Sequence, residues 1–73
     1  MRRSLHSEAY ARFVERLRRG RLEAGLTQVQ VAQRLARPQS YVAKCEAGER
    51  RVDVIELAAF AKLYGKPLDY FVR

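Results

Sequence analysis

The chain has 73 residues, with 15 Lys and Arg against 8 Asp and Glu, a net charge of +7 and a pI near 10.3. That length makes one domain near the lower limit for folding without a staple, and a single cysteine (Cys45) with a single histidine (His6) excludes both an internal disulfide and a zinc site. No apolar run is long enough to span a bilayer, and no apolar stretch follows the basic start Met1-Arg2-Arg3 as a secretory signal requires, so a reduced, cytoplasmic setting is expected.

The charge is unevenly spread. Residues 1–25 hold seven Arg and three acids, residues 26–51 hold five Lys and Arg and two acids, and residues 52–73 hold three of each. The first two-thirds therefore suit a polyanion, whereas the neutral last third, rich in Leu, Phe, Tyr and Ala, suits packing or self-association. A membrane surface would call instead for basic and apolar residues on opposite faces of one long helix.

In chain order, residues 1–6 are expected to form a flexible tail, in which His6 has no role. Ser7 can cap a first helix, with Glu8 in its favourable first turn. Tyr10, Phe13, Val14 and Leu17 fall on one helical face. Gly20 is expected to interrupt this helix at a cost of roughly 1 kcal/mol relative to Ala, and Gly25 to end it. Thr27-Gln28-Val29-Gln30 fits a capping box, so a second helix starts at Gln28, with Val31, Ala32 and Leu35 on its inner face. The residue before a proline avoids the helical region, so Arg37-Pro38 breaks the chain. Pro38 suits the first position of a third helix running to about Ala47, with Val42 and Cys45 inward and Gly48 terminating it.

Asp53-Val54-Ile55-Glu56 resembles a second capping box and opens a fourth helix carrying Ile55, Leu57, Ala58, Ala61 and Leu63. Gly65 closes it. Pro67 begins a short fifth helix with Leu68, Phe71 and Val72. The expectation is an all-α, compact five-helix bundle over residues 7–73, without repeats or a second domain.

Between Leu26 and Arg50 lie two short amphipathic segments joined by a turn. The second turns Gln39, Ser40, Tyr41 and Lys44 outward, a face that is polar but carries little charge. A solubilising face would use Glu and Lys there, whereas a surface that discriminates base edges needs neutral donors and acceptors, because a cation grips any phosphate. Cys45 shares a face with Val42 and reads as a small buried hydrophobe rather than a reactive thiol.

The stretch "GLTQVQVAQRLARPQSYVAKCEAGERRVD", continued by "LAAFAKLYGKPLDYFV", resembles the Cro and lambda-type repressor helix-turn-helix (XRE) family from about Arg16 to Val72. The combination carries the resemblance: Thr27-Gln28 opening one helix, Ala32, the Gln39-Ser40-Tyr41 start of the next, then Glu46 and Gly48. The resemblance implies a helix-turn-helix over about 28–47, whose third helix lies in the major groove of double-stranded DNA. It implies base contacts from Gln39, Ser40, Tyr41 and Lys44, and phosphate contacts from Gln28, Arg37, Arg50 and Arg51. It also pairs Arg21 with Glu46, and Arg2 and Arg3 become candidates for an arm that touches DNA. Three positions depart from the pattern. Ala36 stands where Gly is common, so strain or another turn shape is expected there. Pro38 takes the usual Ser or Thr cap position, and Ala43 stands where Ser is frequent.

The function implied is a sequence-specific transcriptional regulator, a repressor that binds a palindromic operator as a homodimer. The dimer contact is expected at Leu68, Tyr70, Phe71 and Val72. The alternative is an antitoxin, or a controller of a restriction–modification or mobile-element locus, which binds its own operator together with a protein partner such as a toxin or antiactivator. An enzyme is not expected: there is no second His, no phosphate-binding glycine loop and no metal set. No cofactor is expected either.

Overall fold

The computed structural model describes residues 7–73; the tail expected over residues 1–6, with His6 and the Arg2–Arg3 arm, lies outside the described residues. Among the described residues four α-helices follow one another, α1 (Glu8–Glu23), α2 (Gln28–Leu35), α3 (Gln39–Glu46) and α4 (Val54–Tyr64), and a 3-10 turn (Leu68–Tyr70) follows them. No helix among the described residues is long and apolar enough to cross a membrane.

Local rules set most of the boundaries. The Ser7 hydroxyl accepts from the Tyr10 amide and caps α1. Thr27 and Gln30 exchange both bonds of a capping box at α2, as Asp53 and Glu56 do at α4. Each box satisfies two of the amides that a helix start leaves without partners. Pro38 is the cap of α3 rather than its first residue, and it contributes no side-chain bond. The turn between α2 and α3 closes through Ala36, which adopts the left-handed conformation (φ 57°, ψ 45°), while the Arg37 amide donates back to the Ala32 carbonyl at 2.9 Å.

Packing is centred on α1, which contacts both α3 and α4, while α2 lies against α3. Leu17, Val31, Val42, Cys45, Phe60 and Phe71 are fully enclosed, and burial of side chains of this kind contributes about 1.5–3 kcal/mol each for the larger ones. Gly20 does not interrupt α1; the helix runs through it. A Cβ there would sit 3.2 Å from both Phe71 Cε1 and Tyr64 Cδ2, and 3.4 Å from Tyr70 Cε2. The missing side chain is what lets three aromatic rings close against the helix backbone.

Two further expectations are corrected. The fifth helix is a three-residue 3-10 turn. Consecutive residues Tyr70 and Phe71 both point inward, in edge-to-face contact at 5.0 Å, and this tight turn delivers both rings to Gly20. The inner face of α4 is also different: Phe60, Ala61 and Tyr64 are buried, Leu57 and Leu63 are partly buried, and Ile55 and Ala58 are exposed. Because α4 is apolar nearly all round, its pattern could not single out a face; the large rings, four residues apart, took the core.

Left-handed backbone costs a residue with a Cβ about 1–2 kcal/mol, and Ala36 is the one non-glycine with positive φ among the described residues. Ala36→Gly should therefore stabilise the domain by about 1 kcal/mol, raising its melting temperature by about 4–8 °C. A lower melting temperature in a thermal scan would show that the turn carries no such strain.

Candidate nucleic-acid interface

One turn of helix per 3.6 residues divides α3 into two faces. Val42, Cys45 and Glu46 turn inward with Tyr41, whereas Gln39, Ser40 and Lys44 are exposed with Ala43 half-covered between them. The outward face is thus short, amide- and hydroxyl-bearing, with one cation near its end.

Its orientation is set from beneath by charge. Arg21 of α1 donates from Nε to Glu46 Oε2 at 2.7 Å and from Nη2 to Oε1 at 3.0 Å, while its Nη1 donates to the Leu26 carbonyl at 3.0 Å. The side chains are 9% and 4% exposed, so water competes little for this bidentate pair. The hydrogen bond to Glu46 holds the guanidinium pKa above its ordinary value despite burial. Tyr64 lies beside the pair; among the described residues its hydroxyl is buried without a hydrogen-bond partner, and burial pushes its pKa up.

The pair is the root of a longer chain of bonds. Gln28, the first residue of α2, donates from Nε2 to Glu46 Oε1 at 3.0 Å, and Gln39 Nε2 donates to Gln28 Oε1 at 2.8 Å. Gln39, the first residue of α3, is thereby tied through Gln28 and Glu46 to α1. Among the described residues its second amide hydrogen and its carbonyl oxygen are not engaged, and Gln39 is exposed; one donor beside one acceptor is the pattern that matches adenine N7 and N6. Gln28 itself is half-buried and works as a bridge, a role that neither the sequence nor the family resemblance suggested.

On the other flank, Tyr41 is buried with its ring stacked 6.0 Å from Phe60. The outward orientation expected of Tyr41 is therefore corrected: its ring packs beneath α3 and supports the helix. The guanidinium carbons of Arg37 and Arg50 lie 4.3 and 4.7 Å from its centroid. Arg50 is further engaged, donating from Nη1 and Nη2 to Glu56 at 3.0 and 2.9 Å and from Nη1 to the Arg51 carbonyl at 3.0 Å. Arg37 Nη2 approaches the same carboxylate at 3.7 Å. The Arg50 bonds, then the Asp53 amide, hold the Glu56 carboxyl below the usual glutamate range. Arg51 is exposed and its guanidinium covers the Tyr10 ring at 4.4 Å.

The expected dimer residues divide. Leu68 and Val72 are exposed, at 46% and 66%, but Tyr70 and Phe71 are buried in the chain's own core. Arg16 fixes Tyr70 from outside, its Nε donating to the Tyr70 carbonyl at 2.8 Å and its guanidinium lying 4.0 Å from the ring centre. Tyr70 and Phe71 are therefore unavailable to a second copy. Sequence reasoning also missed Glu56 as an arginine holder; its place in the capping box was legible, but its free oxygen gave no clue to a partner six residues away.

Four helices, a left-handed turn leading into α3 and an outward polar face define a DNA-binding helix-turn-helix protein. The sequence matches the model of the helix-turn-helix domain family over residues 12–69, and the chain belongs to that family. Comparison with curated proteins and with solved structures returns no match.

Removing one partner of a buried ion pair strands the other charge, at a cost of about 3–5 kcal/mol. Glu46→Ala should lose stability on that scale in thermal or urea melts. Glu49→Ala, three residues on and exposed, should stay within about 0.5 kcal/mol of the parent. Similar small shifts for both would deny the pair its role.

Proposed function

We propose that the chain is a sequence-specific transcriptional regulator, a repressor that occupies a promoter as a homodimer on a palindromic operator. It acts by binding, not by catalysis. The observation that carries this reading is the bonded series from Arg21 through Glu46 and Gln28 to Gln39. Ordering a glutamine side chain costs up to about 2 kcal/mol of rotamer freedom, which a merely solvated face has no reason to bear. An amide held in one geometry at the exposed start of α3 is suited to distinguish one base edge from another. Arg51, exposed just beyond α3, supplies charge for the backbone.

The dimer follows from size, because one small module buries too little surface for tight specific binding. Two modules bound about one helical turn apart recover affinity through effective concentration. With Tyr70 and Phe71 in the core, one apolar surface open to a second copy is the groove of about 420 Å³ between α1 and the start of α4, lined by Tyr10, Phe13, Val54, Leu57 and Val72; Leu68 lies outside this lining.

The test uses a duplex selected from a random pool. Gln39→Ala should weaken binding to that duplex by about 1–3 kcal/mol and leave random DNA almost unchanged. Arg51→Ala should weaken both together and lower the salt slope by about one. Equal losses on selected and random DNA for Gln39→Ala would remove α3 from the reading role.

A further inference from the structure

A protein that reads sequence must limit how strongly it grips phosphates at random, since every cation that finds a phosphate strengthens non-specific binding. The flank of α3 opposite Gln28 bears on this. Arg50 lies four residues beyond the end of α3, in the loop that leads to α4, yet its guanidinium is turned onto α4. Both terminal nitrogens are bonded to Glu56, at 3.0 and 2.9 Å, a third bond goes to the Arg51 carbonyl at 3.0 Å, and the Tyr41 ring lies 4.7 Å away. Arg37, at the entry to α3, is placed differently. Its distance to the same carboxylate is 3.7 Å, with no hydrogen bond, although the two arginine side chains are almost equally exposed, at 43% and 39%. One acid thus faces two arginines and saturates only one of them.

We propose that Glu56 is a specificity-determining residue that withholds Arg50 from the DNA backbone and leaves Arg37 to meet it. The proposal rests on the DNA-binding reading and adds to it a division of labour among the cations beside the recognition helix. Glu56 is well fixed for the task. Its Oε1 also accepts the Asp53 amide at 3.0 Å in the cap of α4, and its side chain is 14% exposed. A phosphate competing for Arg50 would have to displace a two-point carboxylate contact that the helix cap holds in place, together with a ring contact. Arg37 shares the ring contact, at 4.3 Å, but a phosphate there need displace no hydrogen bond, only a carboxylate at 3.7 Å. Arg50 steadies the loop between α3 and α4, then, and contributes little to grip.

The experiment is a salt titration of binding to random duplex DNA by the parent, Glu56→Gln, Arg50→Ala and the double variant. Glutamine keeps the acceptor that the cap needs but gives up the charge. Each phosphate neutralised adds about 0.9 to the slope of log K against log salt. Glu56→Gln is expected to steepen the slope by about one and tighten random binding several-fold, so that discrimination between selected and random duplexes falls. Arg50→Ala alone is expected to leave the slope at the parent value, and the double variant to return to it. A shallower slope for Arg50→Ala, or an unchanged slope for a folded Glu56→Gln, would overturn the proposal. Should Glu56→Gln fail to fold by circular dichroism, the Arg50→Ala slope decides alone. A flat salt response of the parent itself would instead remove the DNA-binding reading on which the proposal stands.

Discussion

The geometry of the α3 face depends on one buried ion pair. Hydrophobic packing beneath α3 would let the helix rotate or slide by small amounts at little cost, because such contacts are not directional. A bidentate guanidinium–carboxylate contact permits far less. Arg21 and Glu46 meet through two bonds at 2.7 and 3.0 Å, and Glu46 shares one of those oxygens with Gln28. Three helices are thereby registered on one carboxylate. The pair need not add net stability over well-packed apolar residues; what it contributes is a single angle between α3 and the rest of the domain. That angle decides where Gln39 stands.

The charge of the chain has to be read with the same care. A net +7 describes the field that draws a polyanion in, not the number of cations that grip it. Arg21 is spent on Glu46, Arg16 on the Tyr70 carbonyl and ring, Arg50 on Glu56, and Lys66 on Glu23 at 2.6 Å. These groups tie α1 to α3, α1 to the C-terminal turn and the loop after α3 to α4. These four of the fifteen Lys and Arg are therefore structural, and the composition overstates the charge free to face a ligand.

What could be read from the sequence was what short-range rules govern. The caps at Ser7, Thr27 and Asp53 and the stops at Gly25 and Gly65 each depend on residues within one turn, and each falls where those residues placed it. Contacts between distant positions were not legible in this way. Gly20 looked like a helix breaker because nothing local reveals the rings of Tyr64, Tyr70 and Phe71 that need its space. Tyr41 looked like a reader because its helix face is shared with polar neighbours, yet Phe60 and two guanidiniums enclose it. The Arg21–Glu46 pair spans 25 positions and came from family resemblance, not from any pattern in the residues between them.

The central claim is that α3 reads DNA while its foot stays fixed to α1. A crystal structure of the chain bound to a duplex selected from a random pool tests it most directly. The account predicts α3 in the major groove, with Gln39 bonded to a base edge and its Nε2 still donating to Gln28, and with the Arg21–Glu46 contact unchanged from the free protein. DNA seated against another face, or Gln39 turned away from both Gln28 and the bases, would contradict it.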